Sequence, residues 1–184
     1  MEFNRVWSMP NKNTFEIKPI RHLLFKYINN EMMSIDPFSN RNKLAKITND
    51  INPNFDTNYN IDSLDFLKLF KDNEIDIILY DPPYSSRQVS ECYKDYGIEV
   101  TQETTRCSWW TRHKKEIKRI CKSGGIVISF GWNSGGIGKT NGFEIIEILL
   151  VPHGGMHNDT IVVVEKKNIE QESLFKIGDN KYVS

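Results

Sequence analysis

The residues best suited to chemistry in this sequence are Asp81 to Tyr84, an Asp-Pro-Pro-Tyr run that directly follows an apolar stretch at residues 74–80. Proline fixes its own φ and pushes the residue before it toward extended geometry, so the run is a stiff corner at the end of a strand. Pro82 and Pro83 have no N–H, and their carbonyls and the Asp81 carboxylate can only accept hydrogen bonds. Such a corner suits a planar group that bears an NH2, such as adenine. Asp81 and the Pro82 carbonyl would accept its two hydrogens, and the Tyr84 ring would stack on its face.

Two more acids occupy a comparable position. Asp36 follows the apolar piece at residues 33–35, and Asp50 ends a β-like run at residues 46–50. Ligands of parallel α/β sheets bind beyond the carboxyl ends of the strands. We therefore expect Asp36, Asp50 and Asp81 to share one crevice.

The elements that must position these acids follow from apolar periodicity and from turn residues. Helices are predicted over residues 17–30, with Pro19 in the first turn, over 62–70, with Asp62 or Ser63 near the cap, and over 109–121. Strands are predicted over residues 33–35, 46–50, 74–80, 124–130, 143–151 and 160–165, the last two as an antiparallel pair. The segment before residue 17 is interpreted as a polar entry, and the segment after Tyr84 as a polar loop. The alternation predicts an α/β fold with a mostly parallel sheet.

Composition limits the class of protein. The 184 residues fit one domain, which we place at residues 1–166, with a polar tail at 167–184. Lys and Arg total 24, as do Asp and Glu, so no global field attracts the protein to polyanions. Three cysteines without CxxC spacing indicate free thiols in a reducing compartment. No stretch matches a signal peptide or a membrane helix, so we expect a cytoplasmic protein without a membrane partner.

The Asp-Pro-Pro-Tyr run resembles the catalytic motif of the amino-methyltransferases, which use S-adenosylmethionine to methylate adenine N6 or cytosine N4. Other segments resemble that family in the same order. Asp36-Pro37-Phe38 is similar to the DPF motif that ends the family's first strand, and Asn49-Asp50 lies where the family keeps an acid for the cofactor ribose. Asp62-Ser63-Leu64 resembles the D-A-L segment. The upstream element that closes over the cofactor methionine would be Thr14 to Pro19, including Phe15 and Ile17.

The resemblance implies a Rossmann-like class I methyltransferase fold with a C-terminal antiparallel hairpin, S-adenosylmethionine as cofactor, and DNA adenine N6 as acceptor. The run DPPYSSRQVSECY also resembles small phage- and prophage-encoded adenine methylases. One departure is that no glycine follows the DPF motif, which continues Ser39-Asn40-Arg41-Asn42. Cytosine N4, RNA or protein glutamine stay open as acceptors. A non-catalytic, methyltransferase-like nucleic-acid-binding subunit also stays open.

A basic window at residues 106–122 provides candidate contacts to nucleic acid, because cations pair with phosphates and aromatic rings stack on exposed bases. The candidates are Arg87, Arg106, Trp109, Trp110, Arg112, Lys114 and Lys115. The same window could be the solvated side of an amphipathic helix whose tryptophans enter the core. The glycine-rich run at residues 135–140 lacks phosphate-loop spacing and is interpreted as a loop that borders the substrate. His153 and His157 have no third ligand in a suitable pattern, so we expect no metal site.

Overall fold

The computed structural model of the protein describes residues 1–101, 106 and 108–169. The strands in these ranges are β1 (Glu2–Arg5), β2 (Ser34–Asp36), β3 (Ile47–Thr48), β4 (Ile75–Tyr80), β5 (Cys121–Gly131), β6 (Phe143–Val151) and β7 (Thr160–Lys167). The α-helices are α1 (Lys18–Tyr27), α2 (Ser63–Lys68), α3 (Ser86–Asp95) and α4 (Ser108–Ile120). Short 3₁₀ turns span Thr14–Glu16 and Lys139–Asn141. Among the described residues, no helix combines the length and the apolar character needed to cross a bilayer.

The seven strands found in the described ranges form one sheet in the order β1-β6-β7-β5-β4-β2-β3. Strand β7 runs antiparallel to both β5 and β6, and every other neighbouring pair is parallel. The expected α/β fold, mostly parallel with an antiparallel C-terminal hairpin, is confirmed.

Two apolar layers cover the sheet. Alternate residues of β4 divide between them: Ile77 and Leu79 face the layer that contains α1, whereas Ile78 and Tyr80 face the layer that contains α2 and α4. Strands buried on both faces appear in sequence as continuous apolar runs, as β4 does. Because β2 and β4 are parallel neighbours, the residues that follow them lie at the same end of the sheet, where the carboxyl ends of the strands meet.

Two elements differ from the sequence predictions. The segment after Tyr84, interpreted as a polar loop, contains α3, which begins where the Ser85 side chain accepts a hydrogen bond from the Gln88 N–H at 3.3 Å. Only Val89 and Tyr93 of α3 are buried, so the sequence of this helix has too few apolar positions for a helical pattern to be recognised. The polar entry contains β1, which pairs with β6 at one edge of the sheet and is largely exposed.

The boundary of the predicted tail also changes, because Lys167 belongs to β7. Its ammonium donates to the Lys118 and Cys121 carbonyls at 2.8 and 2.7 Å and to Asn73 Oδ1 at 3.1 Å. These bonds connect the end of β7 to the junction of α4 and β5. Most of the predicted tail, residues 170–184, lies outside the described residues.

Candidate active site

The Asp81 carboxylate lies just beyond β4 and accepts a hydrogen bond from the Tyr84 hydroxyl at Oδ1. Burial raises the pKa of Asp81 to about 6, and the interactions with the Tyr84 and Thr14 hydroxyls oppose that shift. A carboxylate at this pKa changes its charge just below neutral pH.

The two prolines hold their carbonyls in different environments. The Pro83 carbonyl accepts a hydrogen bond from Trp110 Nε1 at 3.0 Å. The buried Pro82 residue receives none at its carbonyl from any residue the structure describes. The Tyr84 N–H donates to Gln88 Oε1 at 2.6 Å, which fastens the end of the corner to α3. The Pro82 carbonyl and the second carboxylate oxygen of Asp81, Oδ2, therefore have no hydrogen-bond partner among the described residues.

Asp36 ends β2 and is only 1% exposed. Its Oδ1 accepts the Phe38 N–H at 3.0 Å, whereas Oδ2 is buried and has no partner among the described residues. Burial raises the pKa of Asp36 well above its ordinary value, and the negative charges of Asp81 and Asp50 raise it further. Asp36 thus lies close enough to Asp50 and Asp81 for their charges to act on it, and the single crevice shared by all three acids stays a prediction.

The turn after the DPF motif contains no glycine, and Asn40 takes the left-handed backbone conformation that a glycine usually provides there. Asn40 has φ +53°, in the left-handed region where Asn is among the better tolerated residues. Its N–H donates to Asp50 Oδ2 at 2.8 Å, and the Asn52 N–H donates to Asp50 Oδ1 at 2.9 Å. Asp50 therefore links the turn after β2 to the segment after β3, and burial raises its pKa.

Two predicted cofactor residues are engaged in structural bonds. The buried Asn49 amide donates to the Pro37 and Ile61 carbonyls at 3.1 and 3.0 Å. The Ser63 hydroxyl lies 2.8 Å from His113 Nε2, beneath the surface. These contacts hold the ends of β2 and β3 and the start of α2 in place.

Asp62 is the N-cap of α2, as predicted. Its Oδ1 accepts the Leu64 N–H at 2.9 Å, and its Oδ2 accepts the Tyr93 hydroxyl. The segment at residues 62–64 therefore connects α2 to α3. The contacts of Asp62 are those of a cap, and its contact with the cofactor stays a prediction.

Of the upstream element, Thr14 lies close enough to Asp81 to lower the pKa of its carboxyl. Phe15 packs against Phe130 with ring centroids 4.8 Å apart, and Ile17 is buried in the same layer. Pro19 lies in the first turn of α1, as predicted, where it lines a groove beside β1. Phe38 of the DPF motif packs against Tyr80.

The predicted nucleic-acid contacts divide between core and surface. Trp109 is 3% exposed, donates from Nε1 to the Tyr93 hydroxyl at 3.1 Å and packs on His113, whose ring centroid lies 4.0 Å away. Trp109 is therefore a core residue, and its prediction as a nucleic-acid contact is wrong. Arg87, on α3, is exposed and pairs with Glu91 at 2.7 Å. The other candidates are Arg106 and Lys115, which are exposed, and Trp110, Arg112 and Lys114, which are half-buried.

A cavity of about 90 Å³ opens beside the corner and includes residues that sequence reasoning missed. Pro82, Pro83 and Tyr84 line it together with Trp110 and Lys114 of α4. Its other walls are Tyr80, Ser129, Phe130, Gly131, Trp132, Asn133 and Gly136. The Trp132 ring meets the Tyr84 ring nearly edge-on, with centroids 5.5 Å apart. Trp132 directly follows the apolar run of β5, and the strand-end rule that indicated Asp81 could have found it.

The strand order and the antiparallel β7 define a Rossmann-like α/β fold that matches solved methyltransferase structures. Three solved structures share it. TrmN from Thermus thermophilus is 15% identical over 82% of this chain, with a TM-score of 0.52. The protein yhhF from Escherichia coli, assigned as a methyltransferase, is 10% identical over 89%, with a TM-score of 0.55. SMU.776, assigned as a methyltransferase and solved with SAH, is 12% identical over 81%, with a TM-score of 0.54.

The alignment covers 92% of yhhF but only 49% of TrmN and 48% of SMU.776, so the chain spans about half the length of those two proteins. No protein-family model and no curated protein matches the sequence.

Proposed function

We propose that this protein transfers a methyl group from S-adenosylmethionine to the N6 amino group of adenine in DNA. The observation that carries the proposal is the open acceptor pair of Asp81 and the Pro82 carbonyl beside the Tyr84 ring, at the end of β4. A fold shared with methyltransferase structures, one of them solved with SAH, supports the choice of cofactor.

The residues next to this corner suit a cationic cofactor. S-adenosylmethionine, when bound, supplies an electrophilic methyl group on a positively charged sulfonium. The charges of Asp50 and Asp81 act on Asp36, and the buried Asp36 Oδ2 has no partner in the described part of the chain. A buried acceptor without a partner is destabilising, so an ammonium group of the cofactor that reached it would gain a strong, charge-assisted hydrogen bond. Asp36 would hold the cofactor, with Asp50 shaping the adjoining turns.

The chain's own residues activate the acceptor. The lone pair of an aromatic amine is delocalised into its ring and is a weak nucleophile. Two acceptors on its hydrogens pull the nitrogen toward tetrahedral geometry and hold it in line for attack. The Tyr84 hydroxyl occupies Asp81 Oδ1, so Oδ2 accepts one amino hydrogen and the Pro82 carbonyl accepts the other. When the nitrogen gains the methyl group it releases a proton, which the Asp81 carboxylate can accept.

Aromatic residues at the cavity can replace the stacking that a base loses when it leaves the duplex. A base within a duplex must be flipped out before its amino group can reach Asp81. Tyr84 and Trp132 offer ring faces at the cavity, and stacking of a base on such a ring contributes about 1–3 kcal/mol. Cytosine N4 in DNA, or an amine in RNA, presents the same pair of hydrogens and is the alternative acceptor.

The non-catalytic alternative arises from the missing glycine turn. Asn40 adopts the left-handed conformation that a glycine would otherwise provide, so the turn itself is complete. The missing glycine is therefore no reason to prefer a binding subunit over a catalytic protein.

The test is to incubate the purified protein with methyl-labelled S-adenosylmethionine and mixed DNA, then to digest the DNA and identify labelled nucleosides by mass spectrometry. We expect label in N6-methyladenine from the unmodified protein and none from Asp81→Asn. Asp65→Asn, which changes an exposed acid on α2, is the matched control and keeps activity. Label in cytosine, or in RNA alone, supports the alternative acceptor. Cofactor binding by calorimetry without label in any acceptor supports the binding subunit.

A further inference from the structure

Three polar groups in the cavity beside the catalytic corner have no hydrogen-bond partner in the described ranges. The Tyr80 hydroxyl and the Ser129 hydroxyl are fully buried, in residues that are 3% and 6% exposed. The third group is the Lys114 ammonium, which forms no hydrogen bond or ion pair with a described residue. Buried polar groups are nearly always paired, so a cluster of unpaired ones beside an active site indicates a ligand that pairs with them.

The fold itself brings these three groups together. Tyr80 and Ser129 are register partners on the parallel strands β4 and β5, so their side chains project from the same face of the sheet. Helix α4 packs on that face and places Lys114 one turn beyond Trp110, which is bonded to Pro83. No two of the three groups come from the same element.

Lys114 is held near a carboxylate but is not paired with it. Glu165 of β7 attracts the ammonium, yet its two oxygens accept the N–H groups of Ile137 and Gly138 at 2.5 and 2.8 Å. Burial lowers the pKa of Lys114, and the charge of Glu165 opposes that shift. The N–H groups of the Lys114 ammonium are therefore available to a group in the cavity.

The remaining walls fit a flat heteroaromatic ring. Trp110 and Trp132 contribute indole rings to the lining, and Pro82, Pro83 and Tyr84, the residues that follow Asp81 in the chain, line it as well. A ring whose amino group bonded Asp81 and the Pro82 carbonyl would present its adjoining edge to the three unpaired groups.

We propose that Lys114, Tyr80 and Ser129 read the ring edge of the acceptor base, and that they select bases with an unprotonated ring nitrogen beside the amino group. This inference rests on the proposed function. An ammonium can only donate, whereas a hydroxyl adapts to either role. Adenine N1 and cytosine N3 are acceptors beside an NH2 group. Thymine, uracil and guanine carry a hydrogen on the equivalent ring nitrogen, and that hydrogen would face the donors of Lys114.

The test measures binding, without turnover. The protein is saturated with S-adenosylhomocysteine, so that no base enters the cofactor site, and fluorescence anisotropy gives its affinity for single-stranded oligo-dA, oligo-dC and oligo-dT of equal length. We expect oligo-dA and oligo-dC to bind about tenfold more tightly than oligo-dT, the effect of one charge-assisted hydrogen bond. Lys114→Met keeps the apolar stem of the side chain and removes its donors, so it should abolish the preference.

Lys115→Met is the matched control, because Lys115 is exposed on the next position of α4. It should weaken binding to all three oligonucleotides equally and leave the preference intact. Tyr80→Phe and Ser129→Ala should reduce the preference while leaving the melting temperature unchanged or raised, because each removes a buried hydroxyl that has no partner. A purely structural hydroxyl would lower the melting temperature instead.

The outcomes separate this inference from the proposed function. Equal affinity for the three oligonucleotides, or a preference that survives Lys114→Met, overturns the inference. A preference that Lys114→Met removes and Lys115→Met keeps supports it. If that preference is found but no labelled methyl group reaches any base, the edge-reading site stands and the methyltransferase proposal fails.

Discussion

The indole N–H of Trp110 donates a hydrogen bond to the carbonyl of Pro83, with 3.0 Å between the two heavy atoms. This bond joins α4 to the corner that carries Asp81. It occupies the carbonyl of the second proline, whereas that of the first accepts no hydrogen bond from a described residue. The helix that contains the candidate nucleic-acid contacts thus also supports the corner that carries Asp81.

Substitution of the adjacent residues Trp110 and Trp109 tests whether the bond to Pro83 supports the corner. Trp110→Phe removes the bond to Pro83, so we expect methyl transfer to fall about tenfold with a loss of stability of only about 1 kcal/mol. Trp109→Phe removes the bond to Tyr93 and buried packing on His113, so we expect about 2 kcal/mol of destabilisation. Initial rates and urea unfolding of both variants are the measurements. If both variants lost the same activity and had the same stability, the assignment of Trp110 as a support of the corner would be contradicted.

The rate of methyl transfer should depend on pH through Asp81. The carboxylate must be ionised to accept an amino hydrogen, and burial raises its pKa to about 6. We therefore expect kcat/KM to rise as pH increases through that value and to level off above it. Circular dichroism across the same range shows that the protein stays folded. A flat profile on the acidic side would show that Asp81 is not the titrating group.

Asp36→Asn should weaken the cofactor site while strengthening the fold. The folded pKa of Asp36 is raised, so its ionisation opposes folding, and this cost develops as pH rises from the unfolded value through the folded one. Above neutral pH the neutral amide avoids that cost, and we expect a higher melting temperature. Calorimetry should show about tenfold weaker S-adenosylmethionine binding, because a charge-assisted bond is lost.

Asp76→Asn is the control for Asp36→Asn. Asp76 forms a half-exposed ion pair with Lys122 at 2.7 Å, and its pKa is lowered in the fold. Its replacement should leave cofactor affinity unchanged and slightly reduce stability above neutral pH. If Asp36→Asn behaves like this control, Asp36 does not hold the cofactor.

The turn at Asn40 can be tested with two substitutions of opposite character. Asn40→Gly should change the free energy of unfolding by less than about 1 kcal/mol, because glycine adopts positive φ readily. Asn40→Val should destabilise the fold by about 1–2 kcal/mol, because a β-branched residue is strained there. The valine variant should also bind the cofactor less tightly, since the turn's N–H holds Asp50. Normal cofactor affinity in that variant would separate the turn from the site.

Exposed cations of α4 should set the salt dependence of DNA binding. Lys115→Ala removes a charge from the open side of the helix, so the slope of log affinity against log salt should decrease by about 1. Lys71→Ala, outside α4, should leave the slope unchanged. Anisotropy titrations at several salt concentrations measure it. An equal slope in the unmodified protein and in Lys115→Ala would place the DNA path elsewhere.

Much of the framework could be predicted from sequence because its signals are local. The continuous apolar run of β4, ended by Asp81 and two prolines, indicates a buried strand and the corner after it. Asp62 marks the start of α2 by its capping chemistry. Helix α3 and strand β1 escaped prediction because burial, which creates an apolar pattern, is slight in both.

The chemical types at the corner, the acceptors of Asp81 and Pro82 and the ring of Tyr84, were determined by the sequence itself, since the four consecutive residues from Asp81 to Tyr84 contain them and the prolines hold them rigid. Only the tertiary structure decided which of two adjacent tryptophans is buried. Successive residues of a helix point in different directions, and the packing of α4 on the sheet turned Trp109 inward and Trp110 toward Pro83. It also decided that Tyr80, Lys114 and Ser129 meet in one cavity, because strand register and helix docking bring together residues that lie far apart in the chain.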